Sequence, residues 1–381
     1  MGETGPSCSR DNASLAVKVT DYQNRPIAGV DVKVDGVGEG TTDQNGLADF
    51  GDVAGGTYHI TVWKEGYRPD PNAIAGPVVI AATVPDGSAT VIPAQLAAFS
   101  ENIIFVGSEM DYDSFWTKMM FISAAWFEST NGSEFRTADR KTIAYVDEGY
   151  TRFEKLTIDY LQQKQGFYVV KLAVSMDIVG ALNDRLKPNS SGVKEYYLLQ
   201  DVVFFSHGQP DAIKLNFNTS PDVNLSSSEL GWVDTDIFMP GGRFFSYACR
   251  TGVASWDESF SSDQDANLDQ SVAQQIANRL KVETHAFLTR SDYGKILRER
   301  SDSTAIADSL KKSRETADGT LIEIPPDHQG LPHPGLYKRR GARKEGTNEY
   351  ALWRKAGGIR LPDSAPSPTG LTKGLHVFTP K

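Results

Sequence analysis

Cysteine is almost missing from this chain. Only Cys8 and Cys249 occur in 381 residues, which excludes a secreted disulfide scaffold. Long apolar runs are missing too. No stretch of about 18 consecutive apolar residues exists, so no membrane span is expected. Positive charge is in deficit: 39 Lys and Arg against 49 Asp and Glu leave a net charge of −10. A general nucleic-acid binder carries a basic surface, so that class is set aside. The polar start MGETGPSCSRDNA has no apolar h-region. Neither a secretory nor a lipoprotein signal is read there, and synthesis in a cytoplasm without a signal peptide is expected.

What remains has the composition of an ordinary globular protein, 39% hydrophobic and 10% aromatic. The length suggests two or three domains. After a flexible N-terminus over 1–13, residues 14–97 read as a small all-β domain. SLAVKVT (14–20) alternates, with Leu15, Val17 and Val19 on one face. A turn at Gln23-Asn24-Arg25-Pro26 leads into VDVKV (30–34), and Asn45-Gly46 is a tight-turn signal. TYHITVW (57–63) and ATVIPAQL (89–96) complete a pattern of short strands that suggests a β-sandwich. Gly36, Gly38 and Gly40 mimic a phosphate loop but precede no helix, so they read as hairpin turn geometry.

From residue 98 to 381 the rhythm changes to strands alternating with helices, which argues for a mostly parallel sheet flanked by helices. Strand candidates are NIIFV (102–106), KTIAYVD (141–147), FYVVKLAV (167–174), the run Val202–Phe205, RFFSYA (243–248) and THAFLT (284–289). Capping boxes at Thr151/Glu154 and Ser226/Glu229 open helices, the second carrying Leu230, Val233 and Ile237. Further helices are read at about 175–186, at 272–280 and, highly charged, at 298–318. Residues 325–347 read as a long exposed loop, and EYALWRKAGGIRL and GLHVFT as strands of a terminal hairpin.

Two apolar strands end in chemistry. One empties into Ser206-His207-Gly208 and another into Ala248-Cys249-Arg250-Thr251-Gly252. They are 249 − 207 = 42 positions apart. Strands linked through one helix are often neighbours in a right-handed parallel sheet, which puts both residues at the same carboxyl edge. A thiol that must become a thiolate and an imidazole that moves its proton need that proximity. The amides of Gly208 and Cys249 are the natural oxyanion donors. Asp201 lies at the far end of its strand from His207 and is declined as a third member.

The pair of motifs, an apolar strand ending in SHG and another ending in x-A-C-R-x-G, resembles the caspase-like cysteine peptidases, a clan that includes gingipains and the autoprocessing domains of bacterial toxins. The likeness spans roughly 100–300. It implies an α/β caspase-like fold with His207 and Cys249 catalytic and Gly208 at the oxyanion hole. Tyr247 before Ala248 and the extra Thr251 before Gly252 depart from the caspase pattern, so the likeness is to bacterial relatives and carries no aspartate preference. RPIAGVDVKVDG and the strands after it resemble transthyretin-like, carboxypeptidase-regulatory-like sandwiches, which implies a docking module without chemistry.

Specificity residues are sought in the loop after the nucleophile. Asp257 and Asp265, with Glu258, Asp263 and Asp269, form an acidic rim that would attract a basic side chain, and Asp292 follows the next strand as a pocket candidate. Zinc is not favoured: His285 sits inside a strand with no paired ligand spacing. His59 reads as a strand residue, and His328, His333 and His376 as solvated. The basic run Lys338-Arg339-Arg340 with Arg343-Lys344 is a candidate self-processing site. The expected function is therefore a cysteine endopeptidase without cofactor or metal, acting on a protein or peptide. It would be an effector or toxin, exported by a contact-dependent (type VI) system into a target cell and partnered by secretion apparatus or an immunity protein. The alternatives are a non-catalytic binding protein that retains the fold and a cysteine-dependent acyl transferase or amidase.

Overall fold

The computed structural model describes residues 12–109, 115–131, 135–150, 152–217, 222–294, 296 and 360–381. Cys8, Thr151, His328, His333, the stretches 298–318 and 325–347, the basic run at 338–344 and EYALW (349–353) lie outside the described residues. The chain divides into two units, residues 1–99 with 185–198, and residues 100–184 with 199–381.

The first unit is built on two small sheets. Strands β1 (Ala13–Thr20), β2 (Asp31–Val34), β3 (Gly38–Thr41), β4 (Leu47–Val53), β5 (Gly56–Trp63), β6 (Val78–Val84) and β7 (Ala89–Gln95) follow in chain order. One sheet runs β4-β1-β7 and the other β3-β2-β5-β6. The alternation in β1 does what its sequence promised: Leu15, Val17 and Val19 are fully buried while their neighbours are only partly covered. They meet Val30, Val32, Val34, Ile60 and Val62 in one apolar core. The glycine-rich stretch is the β2–β3 hairpin, with Gly36 at φ +78° and Val34 opposite Gly38, as turn geometry requires.

The second unit is organised by a sheet whose strands are β8 (Phe99–Val106), β9 (Arg140–Val146), β10 (Tyr168–Leu172), β12 (Lys194–Phe205), β16 (Phe238–Ser246), β17 (Glu283–Phe287) and β20 (Leu375–Phe378). β11 (Leu186–Pro188) pairs antiparallel with the start of β12. The spatial order is β10-β9-β8-β12-β16-β17-β20. The pairs β10–β9, β8–β9, β12–β16 and β16–β17 are parallel, and β17–β20 is antiparallel. This is a mixed sheet with a parallel body.

Strand periodicity divides the core between its two faces. Ile104, Val106, Val203, Phe205, Phe245 and Tyr247 join one cluster, with α1 (Phe115–Asn131) and α2 (Arg152–Gln165). Ile103, Phe105, Val202, Phe204 and Phe244 join the other, with α3 (Ser175–Asn183), α4 (Ser227–Leu230) and α5 (Val272–Leu280). Helices thus cover both faces, which is why these strands are apolar without alternation. Phe204 stacks between Phe105 (centroids 4.3 Å) and Phe244 (5.1 Å) across the strands.

Several elements differ from the sequence reading, among them strands β6 and β11, which were not foreseen. Helix α1 was not foreseen. Its apolar residues Met119, Phe121, Ile122, Ala124, Ala125 and Trp126 are all buried, so it offers no clean polar and apolar stripe to read. The Ser226/Glu229 capping box forms, but its helix is a single turn that stops at Leu230, capped by Gly231. Val233 and Ile237 are buried from the following segment instead. GLHVFT contains β20, paired antiparallel with β17; the other strand of the expected terminal hairpin lies almost wholly outside the described residues. Among the described residues no helix is long and apolar enough to cross a membrane.

Candidate functional site

The register of β12 against β16 sets Phe204 opposite Ser246. His207 and Cys249 each lie three residues beyond that pair, at the same edge of the sheet. Beyond β12 the chain enters β13 (His207–Gln209), which pairs with β14 (Ala212–Lys214), itself paired with β15 (Asn224–Ser226). The two chains come very close here. A Cβ on Gly208 would lie 2.5 Å from the carbonyl oxygen of Cys249 and 2.8 Å from its nitrogen. Only glycine fits such an approach. The structure therefore brings His207, Gly208 and Cys249 together.

His207 is held from one side by a buried acid. Its Nε2 lies 2.9 Å from Oε2 of Glu109, whose side chain is 1% exposed. Glu109 stands just beyond the carboxyl end of β8, the other neighbour of β12. The Phe121 ring meets the imidazole edge-on with centroids 4.9 Å apart, and Phe217 packs at 5.4 Å. With Nε2 facing the carboxylate at ion-pair distance but outside hydrogen-bond geometry, Nδ1 is the nitrogen turned from Glu109. Sequence reasoning missed Glu109. The signal was present: β8 is another apolar strand ending in glycine and polar residues, Gly107-Ser108-Glu109.

Cys249 is a free, half-buried thiol. Ser291 approaches it from β18 (Ser291–Asp292), with Oγ 3.1 Å from Sγ and its backbone N–H donating to Sγ at 3.3 Å. Tyr293 lies beneath, its hydroxyl donating to the carbonyl of Tyr247 at 3.1 Å. Burial holds the Tyr293 phenol well above its ordinary pKa, and the neighbouring Cys249 adds to this, so it stays a neutral donor. The turn after Cys249 is strained: Arg250 adopts φ +59°, in the left-handed region that disfavours non-glycine residues. A hydrogen bond between the buried hydroxyls of Ser246 and Thr251, 2.8 Å, closes that turn.

The acidic loop is tied largely to its own surroundings. Asp257 accepts from Ser255 at 2.6 Å, and Asp265 from the Ser261 amide at 3.2 Å. Asp263 accepts from Thr372, and Asp269 pairs with Lys381. Glu258 is gripped by Arg250 and Arg290. Asp292 lies next to Ser291 in β18 and accepts from the Gly294 amide at 2.8 Å. Of the proposed specificity acids, Asp292 alone is adjacent in sequence to a residue that touches Sγ. Asp201 lies inside β12 (which extends back to Lys194), six positions before His207, and is clamped by Arg136 (2.7 Å) and Arg243 (3.0 Å).

His285 stacks on Phe245 at 4.5 Å and pairs with Glu283 at 2.7 Å. His59 is exposed on β5, and the His376 ring packs edge-on against Phe378. Among the described residues no group of three or more His, Cys, Asp and Glu side chains is placed to hold a metal ion.

Comparison with known proteins reaches the first unit. Residues 14–96 match the carboxypeptidase regulatory-like domain family. This region is a carboxypeptidase regulatory-like β-sandwich. No curated protein matches the chain. Among solved structures it is similar to the Bacillus anthracis TIE protein, at 18% identity over 25% of this chain and 19% of that one, with a TM-score of 0.21. It is similar to a type II cohesin–X-dockerin complex of Acetivibrio cellulolyticus at 24% identity, covering 23% of this chain and 58% of that one, with a TM-score of 0.18. Fervidolysin of Fervidobacterium pennivorans, a keratinolytic enzyme related to subtilisin, matches at 20% identity over 24% and 17%, again with a TM-score of 0.18. These alignments span a fifth to three fifths of the other proteins' lengths and carry no argument about activity.

Proposed function

We propose that this protein is a cysteine endopeptidase of the caspase-like type, with Cys249 as nucleophile and His207 as acid and base. The observation that carries the reading is the abutment of Gly208 on the Cys249 backbone, 2.5 Å from a Cβ position to the carbonyl oxygen, beside an imidazole held by Glu109. Two supports stand with it: both residues follow parallel neighbouring strands in equal register, and donors from Ser291 point at Sγ.

In the reaction the Cys249 thiolate adds to the scissile carbonyl, and the oxyanion is met by the amides of Gly208 and Cys249. His207 gives a proton to the leaving amine, leaving a thioester. The imidazole then takes a proton from water, whose oxygen displaces Cys249 and frees the acid. Glu109 faces the ring and keeps it oriented. Asp292, Asp257 and Asp265 are the candidates for selecting the substrate side chain. The sandwich would serve as a docking module, and export of the protein into a target cell belongs to the same proposal.

The test is cleavage of a mixed peptide library and of the chain itself by the wild type and by Cys249→Ala. The expected result is cleavage that falls at least about 10³-fold in the variant. Equal turnover by both would overturn the reading. An unreactive Cys249 with no cleavage by either favours a non-catalytic binding protein.

A further inference from the structure

Arg250 follows the nucleophile, and Arg290 precedes Ser291, the residue that touches Sγ. Their side chains converge on one carboxylate. Arg250 Nη1 donates to Oε1 of Glu258 at 2.9 Å. Arg290 grips the same group with both nitrogens, Nη1 to Oε2 at 2.9 Å and Nη2 to Oε1 at 2.7 Å. Ser367 Oγ adds a fourth contact at 3.1 Å. Arg250 is also anchored to the carbonyls of Ser255 and Asp257, both at 2.8 Å. Its side chain is 5% exposed, whereas those of Glu258 and Arg290 are about half exposed.

We propose that Glu258 is a positioning residue for the nucleophile: by bridging Arg250 and Arg290 it fixes the Cys249 turn against the Ser291 strand. The proposal rests on the peptidase reading for its kinetic arm but not for its chemical one. Two backbone segments determine the Cys249–Ser291 contact. One is the left-handed turn at Arg250, which costs energy to hold. The other is Arg290–Asp292, whose Arg290 exchanges hydrogen bonds with the 365–367 segment, Arg290 N to Ser367 O and Ala365 N to Arg290 O, both 2.7 Å. The Arg250 amide also donates to the Thr289 carbonyl at 2.9 Å. Main-chain bonds thus bring the segments together, and Glu258 sets how the ends lie.

An exposed single ion pair contributes little to stability. A carboxylate shared by two guanidiniums, one bidentate, is geometrically selective. Its effect is therefore expected in the placement of Sγ, since small misplacements of a reacting group are costly in rate. The Arg290 contact holds the Glu258 carboxyl below its ordinary pKa, with Ser367 and the charge of Arg250 acting in the same direction, so it remains an anion at neutral pH.

The test uses the full chain with Glu258→Gln, Glu258→Asp, Arg290→Lys and the double variant Glu258→Gln/Arg290→Lys. Glu283→Gln, at a half-exposed acid paired with His285 at the amino end of β17, is the control. Melting temperature reports the fold, iodoacetamide alkylation of Cys249 reports the thiol, and peptide cleavage gives kcat and KM. The expected result is a melting temperature close to wild type and an alkylation rate changed several-fold by Glu258→Gln. The same variant should lower kcat by roughly tenfold with little change in KM. Glu258→Asp recovers part of the loss. The double variant is no worse than the worse single one, because both break one network. Alkylation and kcat within twofold of wild type in Glu258→Gln would overturn the proposal, as would an equal response of Glu283→Gln. Where the wild type cleaves nothing, the alkylation comparison still decides.

Discussion

The two ends of the central sheet of the second unit both bury acid, and they do so differently. Toward the amino end of the parallel strands two buried carboxylates, Glu101 and Asp201, meet guanidiniums. Glu101 faces Arg140 at 3.2 Å, and Asp201 is held by Arg136 and Arg243. At the carboxyl end Glu109 meets His207 instead. Arginine never gives up its proton, so a carboxylate–arginine pair is a fixed charge pair that locks register. Histidine changes charge near neutral pH, so a carboxylate–histidine pair can assist proton transfer. The same acid serves scaffold or chemistry according to the partner that topology supplies.

This contrast can be broken at either end. The largest effect is expected from Asp201→Ala, which strands two guanidiniums beside the core. Unfolding free energy should fall by about 3–5 kcal/mol in denaturant titration, while the Cys249 alkylation rate of the folded protein stays unchanged. A parallel loss of thiol reactivity would mean that the two ends are not separable. Glu109→Gln should do the reverse. Turnover in the peptide assay should drop by about 10²-fold with a small change in melting temperature, and full activity would remove Glu109 from the site.

Gly208→Ala sharpens the placement of the site. Its Cβ would meet the Cys249 carbonyl at 2.5 Å and the Ala248 Cβ at 2.7 Å, so the strands must part. A cost of about 1–3 kcal/mol and loss of cleavage are expected, and wild-type kinetics would show that the approach is not needed. The smallest effect is in acid. Burial raises the Asp201 pKa, but the hydrogen bonds from Arg136 and Arg243 outweigh it and leave the carboxyl below its usual value. A group whose folded pKa is depressed stabilises the fold above its unfolded pKa, about 3.9, and loses that contribution as pH falls through the folded value. Stability measured from pH 5 down to pH 2 should therefore drop less steeply in Asp201→Asn than in wild type. Identical slopes would show that other carboxylates dominate.

Much of this protein was legible from its residues, for reasons of local physics. Leu15, Val17 and Val19 alternate because one face of β1 is covered and the other is not. Asn45-Gly46 turns the chain, with Gly46 at φ +71°. Val202–Phe205 is apolar throughout because helices cover both faces of the sheet. Two such strands, leading into His207-Gly208 and Cys249, lie side by side in the sheet, as their apolar runs suggested. Helix α1 escaped because it is apolar on too many sides for its period to show, and α4 was overestimated because a capping box starts a helix without setting its length.

The sequence by itself determined the sandwich, the strand and helix alternation, and which two strand ends carry a histidine and a cysteine, because these follow from periodicity and turn chemistry within short windows. Only the tertiary structure decided the partners. Glu109 reaches His207 because β8 and β12 are neighbours although 95 positions separate β8's Val106 from Asp201. Ser291 reaches Cys249, and Glu258 joins Arg250 to Arg290, through strand order and loop closure. Such contacts are set by packing between residues far apart in the chain, and no local pattern encodes them.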